Sequence, residues 1–503
     1  MIIVDSFRNI AVKQNAETSR RRYKIMAVLE NLEPKSVFSF FEQLCAIPHG
    51  SHNTKLVSDW LKAFAEKRGL EHYQDELNNV IIIKEATFGY EDAEPVIFQG
   101  HMDMVCEKAP DCAKDMATEG LDLVLEDGCV RAKGTTLGGD DGIAVAFALA
   151  ILDADDISHP RFEAVFTVDE EVGMEGAAGL DVTPLKGHRM LNMDSEDEGV
   201  FTVSCAGGNL TRCSVPVTRE AFAGEKLHIQ VEGLIGGHSG IEINTGRANA
   251  NRLLGRILYA AGRETELRIV SVNGGLKDNA IPNMSAADVV AADGEKVREV
   301  CAAMEAAFKN EYSVTDPGVK VSVSGADCAM PMDQVSGAKA LCLLNCTPNG
   351  IETMSADIEG LVQTSLNLGI FATEEDCVQA SFCVRSSVAT QKQMLCERLR
   401  CLTEALGGNV TITGDYPGWQ YLQESPLRDL MTEVYKEQYG SEPKIEAIHA
   451  GVECGMFADK LPGLDCVSFG PDLFEIHTFR EHMPVDSVQR TWKLVLEVLR
   501  RMK

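Results

Sequence analysis

Three short apolar runs set the tightest limit on how this chain folds. They are Asn79-Val80-Ile81-Ile82-Ile83, Pro95-Val96-Ile97-Phe98 and Phe162 to Val168. Apolar residues follow one another in these runs with little polar alternation, the pattern of strands covered on both faces. Helical spacing fills the intervals: Leu56, Trp60, Leu61 and Phe64 recur at that period, with Gly69 where a helix would stop. The apolar run Ile143 to Leu152 reads as a buried helix. Strands alternating with helices predict an α/β domain whose largely parallel sheet is covered by helices.

After about Cys205 the pattern changes. Leu227-His228-Ile229-Gln230-Val231 alternates as a half-exposed strand does. Arg247 to Gly262 reads as helix, Leu267 to Val272 as strand, Val297 to Phe308 as helix and Val319 to Val323 as strand, five of the six elements of an expected β-α-β-β-α-β order. Gly360 to Ile370, Cys377 to Val384, the helix Gln391 to Leu406 and Val410 to Thr413 repeat much of it. The α/β signature resumes near Tyr416, with a helix from Leu427 to Tyr439, a buried strand Val467-Ser468-Phe469 and a terminal amphipathic helix marked by Trp492, Val495, Leu496 and Leu499. The expected organisation is a discontinuous first domain, residues 26–208 and 414–503, carrying an inserted α+β lid of two related halves at 209–413. A chain of 503 residues is long enough for two or three cores.

Residues 1–25 stand apart. Arg8, Lys13, Arg20, Arg21, Arg22 and Lys24 face only Asp5 and Glu17, and no apolar centre marks a signal peptide. They read as a disordered extension upstream of a start at Met26, with an organellar transit segment as the second reading. The formal net charge of −29 repels a phosphate polyanion, which argues against nucleic acid as a partner. No apolar run approaches the roughly 18 residues that a membrane helix needs, so no membrane partner is expected. The 16 cysteines are scattered, without a CxxC pair, and read as reduced thiols of a cytosolic protein, small core residues by default.

The chemistry is carried by acidic and imidazole groups at strand ends. Gln99-Gly100-His101-Met102-Asp103 leaves a strand through a glycine, with His and Asp two apart and so on one side of extended chain. A ligating imidazole needs its other nitrogen held by an acceptor, and Asp103 is placed to do that; a solvated turn histidine is the bland alternative. Gly134-Thr135-Thr136-Leu137-Gly138-Gly139-Asp140-Asp141-Gly142 directly precedes a helix. A carboxylate there bridges two metals or caps the helix, and the residues alone leave both readings open. Val168-Asp169-Glu170-Glu171 ends an apolar strand in three acids that repel one another unless a cation relieves them. Adjacent glutamates then divide the work, one ligating and one taking a proton from water. Met193-Asp194-Ser195-Glu196 places one more carboxylate after an apolar segment.

In this order the four segments resemble the co-catalytic zinc peptidase clan of aminoacylases, carboxypeptidase G and carnosinases, and within it the aminoacyl-histidine (Xaa-His) dipeptidases. The likeness runs from about Glu33 to the C-terminus. It implies that His101 and Asp194 hold one metal, Glu171 and His477 the other, and that Asp140 bridges them. Asp103 then orients His101, and Glu170 is the general base. The last ligand departs in context: the family usually shows His-Ser-Pro-x-Glu, and this chain has His477-Thr478-Phe479-Arg480-Glu481, which puts the loop shape in question. His449, within His449-Ala450-Gly451-Val452-Glu453, resembles another family motif and is expected to line the pocket. In the inserted domain, His238 of Gly236-Gly237-His238-Ser239-Gly240 resembles the histidine that steadies the oxyanion, while Asn279 and Arg385 resemble groups that hold substrate. Without the likeness these three read as a turn histidine, a loop asparagine and a surface arginine. The implied protein is a cytoplasmic, dinuclear-metal dipeptidase that hydrolyses Xaa-His and similar short peptides. Its cofactors are two divalent ions, zinc with cobalt or manganese as alternatives; its partners are a small peptide substrate and, through the inserted domain, a second copy in a homodimer. A related hydrolase of N-acyl amino acids or tripeptides is the alternative, because the metal motifs are shared across the clan.

Overall fold

A computed structural model describes residues 28–503 of the protein; the expectations for residues 1–25 and for a start at Met26 lie outside the described residues. Two compact units emerge. One takes the chain up to Phe201, then Ser425–Lys444 and Gly463–Lys503; the other takes Thr202–Glu424 and Ile445–Pro462.

The first unit is an α/β structure. Its strands lie in the order Glu71–Gln74, Val80–Lys84, Phe162–Thr167, Val96–His101, Arg189–Asn192 and Asp465–Ser468. From Phe162–Thr167 to Asp465–Ser468 the neighbours are parallel. The first two strands run antiparallel. Only a short link joins Gln74 to Val80, which forces a hairpin, so the sheet is mixed with a parallel centre. Val96–His101 and Phe162–Thr167 are buried throughout, as their unbroken apolar character predicts. The helix Gly139–Asp153 packs on Val96–His101 and on the helix Lys35–Cys45, and it is buried from Gly139 to Leu152. An apolar surface all round is what such burial requires. The terminal helix Val485–Arg501 instead buries one stripe, with Trp492 edge-on to Phe147 at 5.1 Å.

The second unit holds a nine-stranded sheet whose described pairings are all antiparallel. Its spatial order is Lys320–Gly325, Glu225–Glu232, Ser285–Ala291, Leu267–Gly274, Val362–Thr373, Cys377–Ser386, Gly207–Pro216 and Asn409–Tyr416, with Gly350–Met354 beside Val362–Thr373. The first group follows the expected β-α-β-β-α-β order, with helices Ala250–Glu264 and Gly294–Glu311. The second group repeats its strand order outward from the shared seam, with Gly207–Pro216 as its first strand and Gln334–Cys346 and Ala389–Ala405 as its helices. One half is therefore nested inside the other. The parts missing from the second half in sequence lie more than a hundred residues apart, and local periodicity cannot join them. Leu227, Ile229 and Val231 point into this unit's core with Leu254, Ile257, Phe308, Phe371, Phe382 and Leu399.

Two expectations need correction. Residues 202–208, 414–424 and 445–462 fall in the second unit rather than with residues 26–208 and 414–503. Pairing explains it: Tyr416 is opposite Gly208, and the Ala206 N–H donates to the carbonyls of Ile448 and Ala450. The cysteines are all free, as expected, but Cys106, Cys346 and Cys401 are exposed rather than core residues. Among the described residues no helix is long and apolar enough to cross a membrane.

Candidate metal centre

Parallel strands converge their carboxyl ends, and in open α/β sheets that edge is where ligands bind. His101 is the last residue of its strand; Asp169 to Glu171 follow Thr167, and Asp194 follows Asn192 by two. Gly100 permits the approach of the next element, since a side chain there would meet the Asp141 carboxylate and Ala144 at about 2.5 Å or less. Asp141 uses that proximity to accept the His101 N–H at 3.3 Å.

Around these ends the side chains gather in a definite order. His101 Nε2 lies 3.2 Å from Asp140 Oδ1 and 3.7 Å from Asp194 Oδ1. His477 Nε2 lies 3.1 Å from Asp140 Oδ2 and 2.9 Å from Glu171 Oε1. Asp140 thus turns one carboxylate oxygen toward each imidazole. The donor atoms of His101, Asp140 and Asp194 all lie within 4.8 Å of one another, as do those of Asp140, Glu171 and His477 and those of His101, Glu170 and Glu171. Asp140 does not cap its helix: the backbone is kinked out of helical geometry at Asp140 and Asp141, and both Asp140 carboxylate oxygens face imidazoles.

Behind this ring stands a supporting layer. His101 Nδ1 is 3.0 Å from the Asp103 carbonyl and 3.5 Å from its carboxylate. The Asp103 carboxylate accepts from Ser51 Oγ at 2.9 Å and from the Glu170 N–H at 3.2 Å, tying the proposed base to the histidine's support. Glu481, 3% exposed, accepts the N–H groups of Leu137 and Gly138 on one oxygen and those of Gly139 and Asp140 on the other, at 2.7 to 3.4 Å. Ser51 had no signal in the sequence beyond a hydroxyl in a loop, and Glu481 only its place four residues after His477.

The electrostatics match the geometry. Burial pushes the His101 imidazole down, but Asp103, Asp140 and Asp194 outweigh it and hold its pKa well above the ordinary value. Asp140 and Glu171 raise His477 to about 10. Burial works to raise Asp140, yet the two histidines hold it below the usual carboxylate range. Burial and then Asp194 raise Asp141, and burial and then Asp140 raise Glu196. Carboxylates packed this closely call for compensating cations. A buried imidazole with its far nitrogen held by an acceptor, facing carboxylates that share one aspartate, fits divalent metal ions.

A second cluster, cationic and neutral, forms within the second unit. A side-chain carbon on Gly240 would meet the His449 carbonyl at 2.5 Å, His238 Cε1 at 2.9 Å and Arg385 Nε at 3.2 Å, which puts all three around one point. Arg385 is 6% exposed, donates from Nη1 to the Tyr416 hydroxyl at 3.1 Å, and keeps a buried Nε with no partner among the described residues. The Gly240 and Ile241 N–H groups both donate to His238 Nδ1 at 3.2 Å, which places the imidazole proton on Nε2. His449 Nε2 is 2.7 Å from Ser365 Oγ; burial, then Arg385 and His238, lower its pKa to about 3. Burial and Arg385 lower His238 as well. Asn279 joins through its backbone, accepting from the Ser239 N–H at 2.9 Å. Tyr416 and Ser365 carried no sequence signal: one is an ordinary strand aromatic, the other faces Arg385 across a hairpin that only pairing reveals.

Residues 97–501 match the model of peptidase family M20/M25/M40. The chain belongs to that family. As a member of M20/M25/M40 it is a metallopeptidase. It is 35% identical over 489 residues to the cytosol non-specific dipeptidase of Escherichia coli (strain K12), across 94% of this chain and 99% of that one. Its fold is similar to the aminoacylhistidine dipeptidase of Vibrio alginolyticus, with a TM-score of 0.89 and 35% identity over 94% of this chain and 97% of that one. Aminopeptidase PepT from Bacillus cereus ATCC 10987 shares the fold at a TM-score of 0.54 and 17% identity, covering 94% and 99% of the two chains.

Proposed function

We propose that this M20/M25/M40 metallopeptidase is a cytoplasmic dipeptidase with two metal ions, cleaving Xaa-His and similar short peptides. One observation carries the reading: the Asp140 carboxylate presents an oxygen to each of two imidazoles, each accompanied by one further carboxylate. In this assignment His101 and Asp194 hold one ion, Glu171 and His477 the other, and Asp140 bridges them. The donor set of imidazole and carboxylate suits zinc, with cobalt or manganese as alternatives. Such a pair of ions supplies Lewis acidity, acidifying a water and polarising the scissile carbonyl.

The chain's own groups do the rest. Glu170 lies with His101 and Glu171 among the clustered donors, and in this reading it accepts the water's proton and passes it to the leaving amine. Asp103 keeps His101 in the tautomer whose Nε2 faces the carboxylates. Arg385, with an unpartnered buried Nε, is the proposed grip for a peptide carboxylate. His238 carries its proton on Nε2 and is the proposed donor to the oxyanion. Asn279 and His449 are assigned to the substrate pocket. The names of the Escherichia coli and Vibrio relatives support a dipeptide substrate. The homodimer and the lid role of the second unit rest on the family resemblance.

Glu170→Ala tests the reading. Bound metal stays at the wild-type level while hydrolysis of Ala-His and β-Ala-His falls by roughly 10²- to 10⁴-fold. Unchanged turnover contradicts the assignment. A parallel panel of acetyl amino acids and tripeptides checks the substrate class, and faster cleavage of either group contradicts the dipeptide reading.

A further inference from the structure

The loop that carries His477 is closed at its base and reaches across the sequence at its end. Phe474 and His482 exchange backbone hydrogen bonds at 3.0 Å each way, so residues 474–482 form a stapled arc. His477 sits on that arc in the left-handed region, at φ 58°. The Glu481 N–H donates to the Thr478 carbonyl at 3.1 Å, and the strand His482–Pro484 that follows is paired to Cys129–Ala132. Phe479 stands where the family usually has proline, so the arc's shape must come from elsewhere.

Glu481 supplies it. Its carboxylate is buried among four successive N–H groups, Leu137 to Asp140, 341 to 344 residues away in sequence. Successive amides that converge in this way form an anion-binding concavity. Gly138 makes it possible, since its φ of 64° belongs to a conformation that costs a side-chain-bearing residue energy. One carboxylate therefore holds both the backbone that presents Asp140 and the arc that presents His477. The other half of the ring has different anchors, because His101 ends a central strand and Asp194 follows another.

We propose that Glu481 is a positioning residue that sets the spacing of His477 from Asp140, and with it the affinity of one of the two metal positions. The proposal rests on the two-ion reading above. Both Glu481 oxygens are taken up by backbone amides, so it acts through the two ligands it fixes. Removing a group that orients metal ligands typically weakens binding about 10- to 100-fold. The larger loss is expected on the Glu171–His477 side, where both fixed ligands serve one ion, and a smaller one on the His101–Asp194 side, which shares only Asp140.

The test uses Glu481→Gln, which keeps the shape but sets an NH2 group against the amides, and Glu481→Asp, which keeps the charge but draws it back by one methylene. Each full-length apoprotein is titrated with Zn²⁺ and, separately, Co²⁺, reading both dissociation constants and the cobalt absorption spectrum. Melting of the apoprotein is followed alongside. The expected result is one ion bound about 10- to 100-fold more weakly and the other weakened by a clearly smaller factor. Apoprotein melting stays near wild type, and kcat recovers at saturating metal with KM unchanged. Two unchanged dissociation constants would overturn the proposal. So would equal weakening of both ions with a lowered melting temperature, or failure of both variants to fold, since Glu481 would then only hold the fold. A wild-type protein that binds fewer than two ions would instead sink the two-ion reading itself.

Discussion

The two clusters of functional side chains are built on opposite plans. In the first unit the groups are carboxylates and imidazoles gathered at the carboxyl edge of parallel strands and on the loops beside it, His101 and Asp140 buried and His477 exposed, with carboxylates that repel one another until a cation joins them. In the second they are an arginine, two histidines and a tyrosine, set on antiparallel strands and the loops beside them, with burial first and Arg385 next lowering the protonation of both histidines. The difference teaches a division of labour. An acidic ring gathers metal, whereas a cationic pocket with an orphaned guanidinium nitrogen suits an anionic group of a substrate. Substitutions of the proposed ligands in the first should therefore change metal content, and substitutions of Arg385 and Tyr416 in the second should change substrate affinity with metal content unchanged.

Asp140→Ala is the largest break. In the proposed assignment both ions share this carboxylate, so metal content by mass spectrometry should fall below one ion per chain and hydrolysis should drop to background. Two ions retained would mean that the ring is not organised around Asp140. Arg385→Ala should leave both ions in place and raise KM by roughly 10- to 100-fold, the cost of about 1.5–3 kcal/mol for a hydrogen bond to a charged group. Arg385→Lys should recover little of it, because a point charge does not reproduce the guanidinium fork. Loss of metal in either variant would erase the distinction between the two clusters.

Protonation sharpens the same contrast. Without metal, His477 titrates at about 10 and His101 lies well above its ordinary value, so both are protonated at neutral pH. Ligation requires neutral imidazoles, so metal uptake should release protons, and each ion's affinity should rise roughly tenfold per pH unit through the neutral range. The folded pKa is raised, so these pairs stabilise the apoprotein fully below about pH 6.5 and lose that effect as pH climbs toward 10. Calorimetry in buffers of different ionisation enthalpy measures the proton release. His449 is the counterexample: held down at about 3, it stays neutral throughout that range and contributes nothing to the uptake. The smallest effect belongs to Tyr416→Phe, which removes one partner of Arg385; KM should rise a few-fold, for about 0.5–1.5 kcal/mol, with kcat and metal content unchanged.

How much of this was legible in the sequence follows the same divide. The three consecutive acids after an apolar strand were readable as a place that calls for a cation, while the choice of Asp140 as bridge and His477 as last ligand came from the family likeness. The strands that carry them were readable because unbroken apolar runs have few other fates. His238, Arg385 and His449 were legible only through the family likeness, since a lone histidine or arginine costs nothing on a surface. Tyr416, Ser365 and Ser51 were not legible at all, and Glu481 only as the acid that closes the family motif after His477, because their roles depend on partners 31 to 344 residues away. The nesting of one half of the second unit inside the other was hidden for the same reason. Pairing of Gly207–Pro216 with Cys377–Ser386 is a long-range event that no local period records.

The central claim is that two ions sit on either side of Asp140. Anomalous diffraction from crystals of the zinc-loaded protein tests it directly. The account predicts two peaks about 3.5–4 Å apart, one beside His101 and Asp194 and the other beside Glu171 and His477. A single peak, or a pair that leaves Asp140 out of contact, would contradict it.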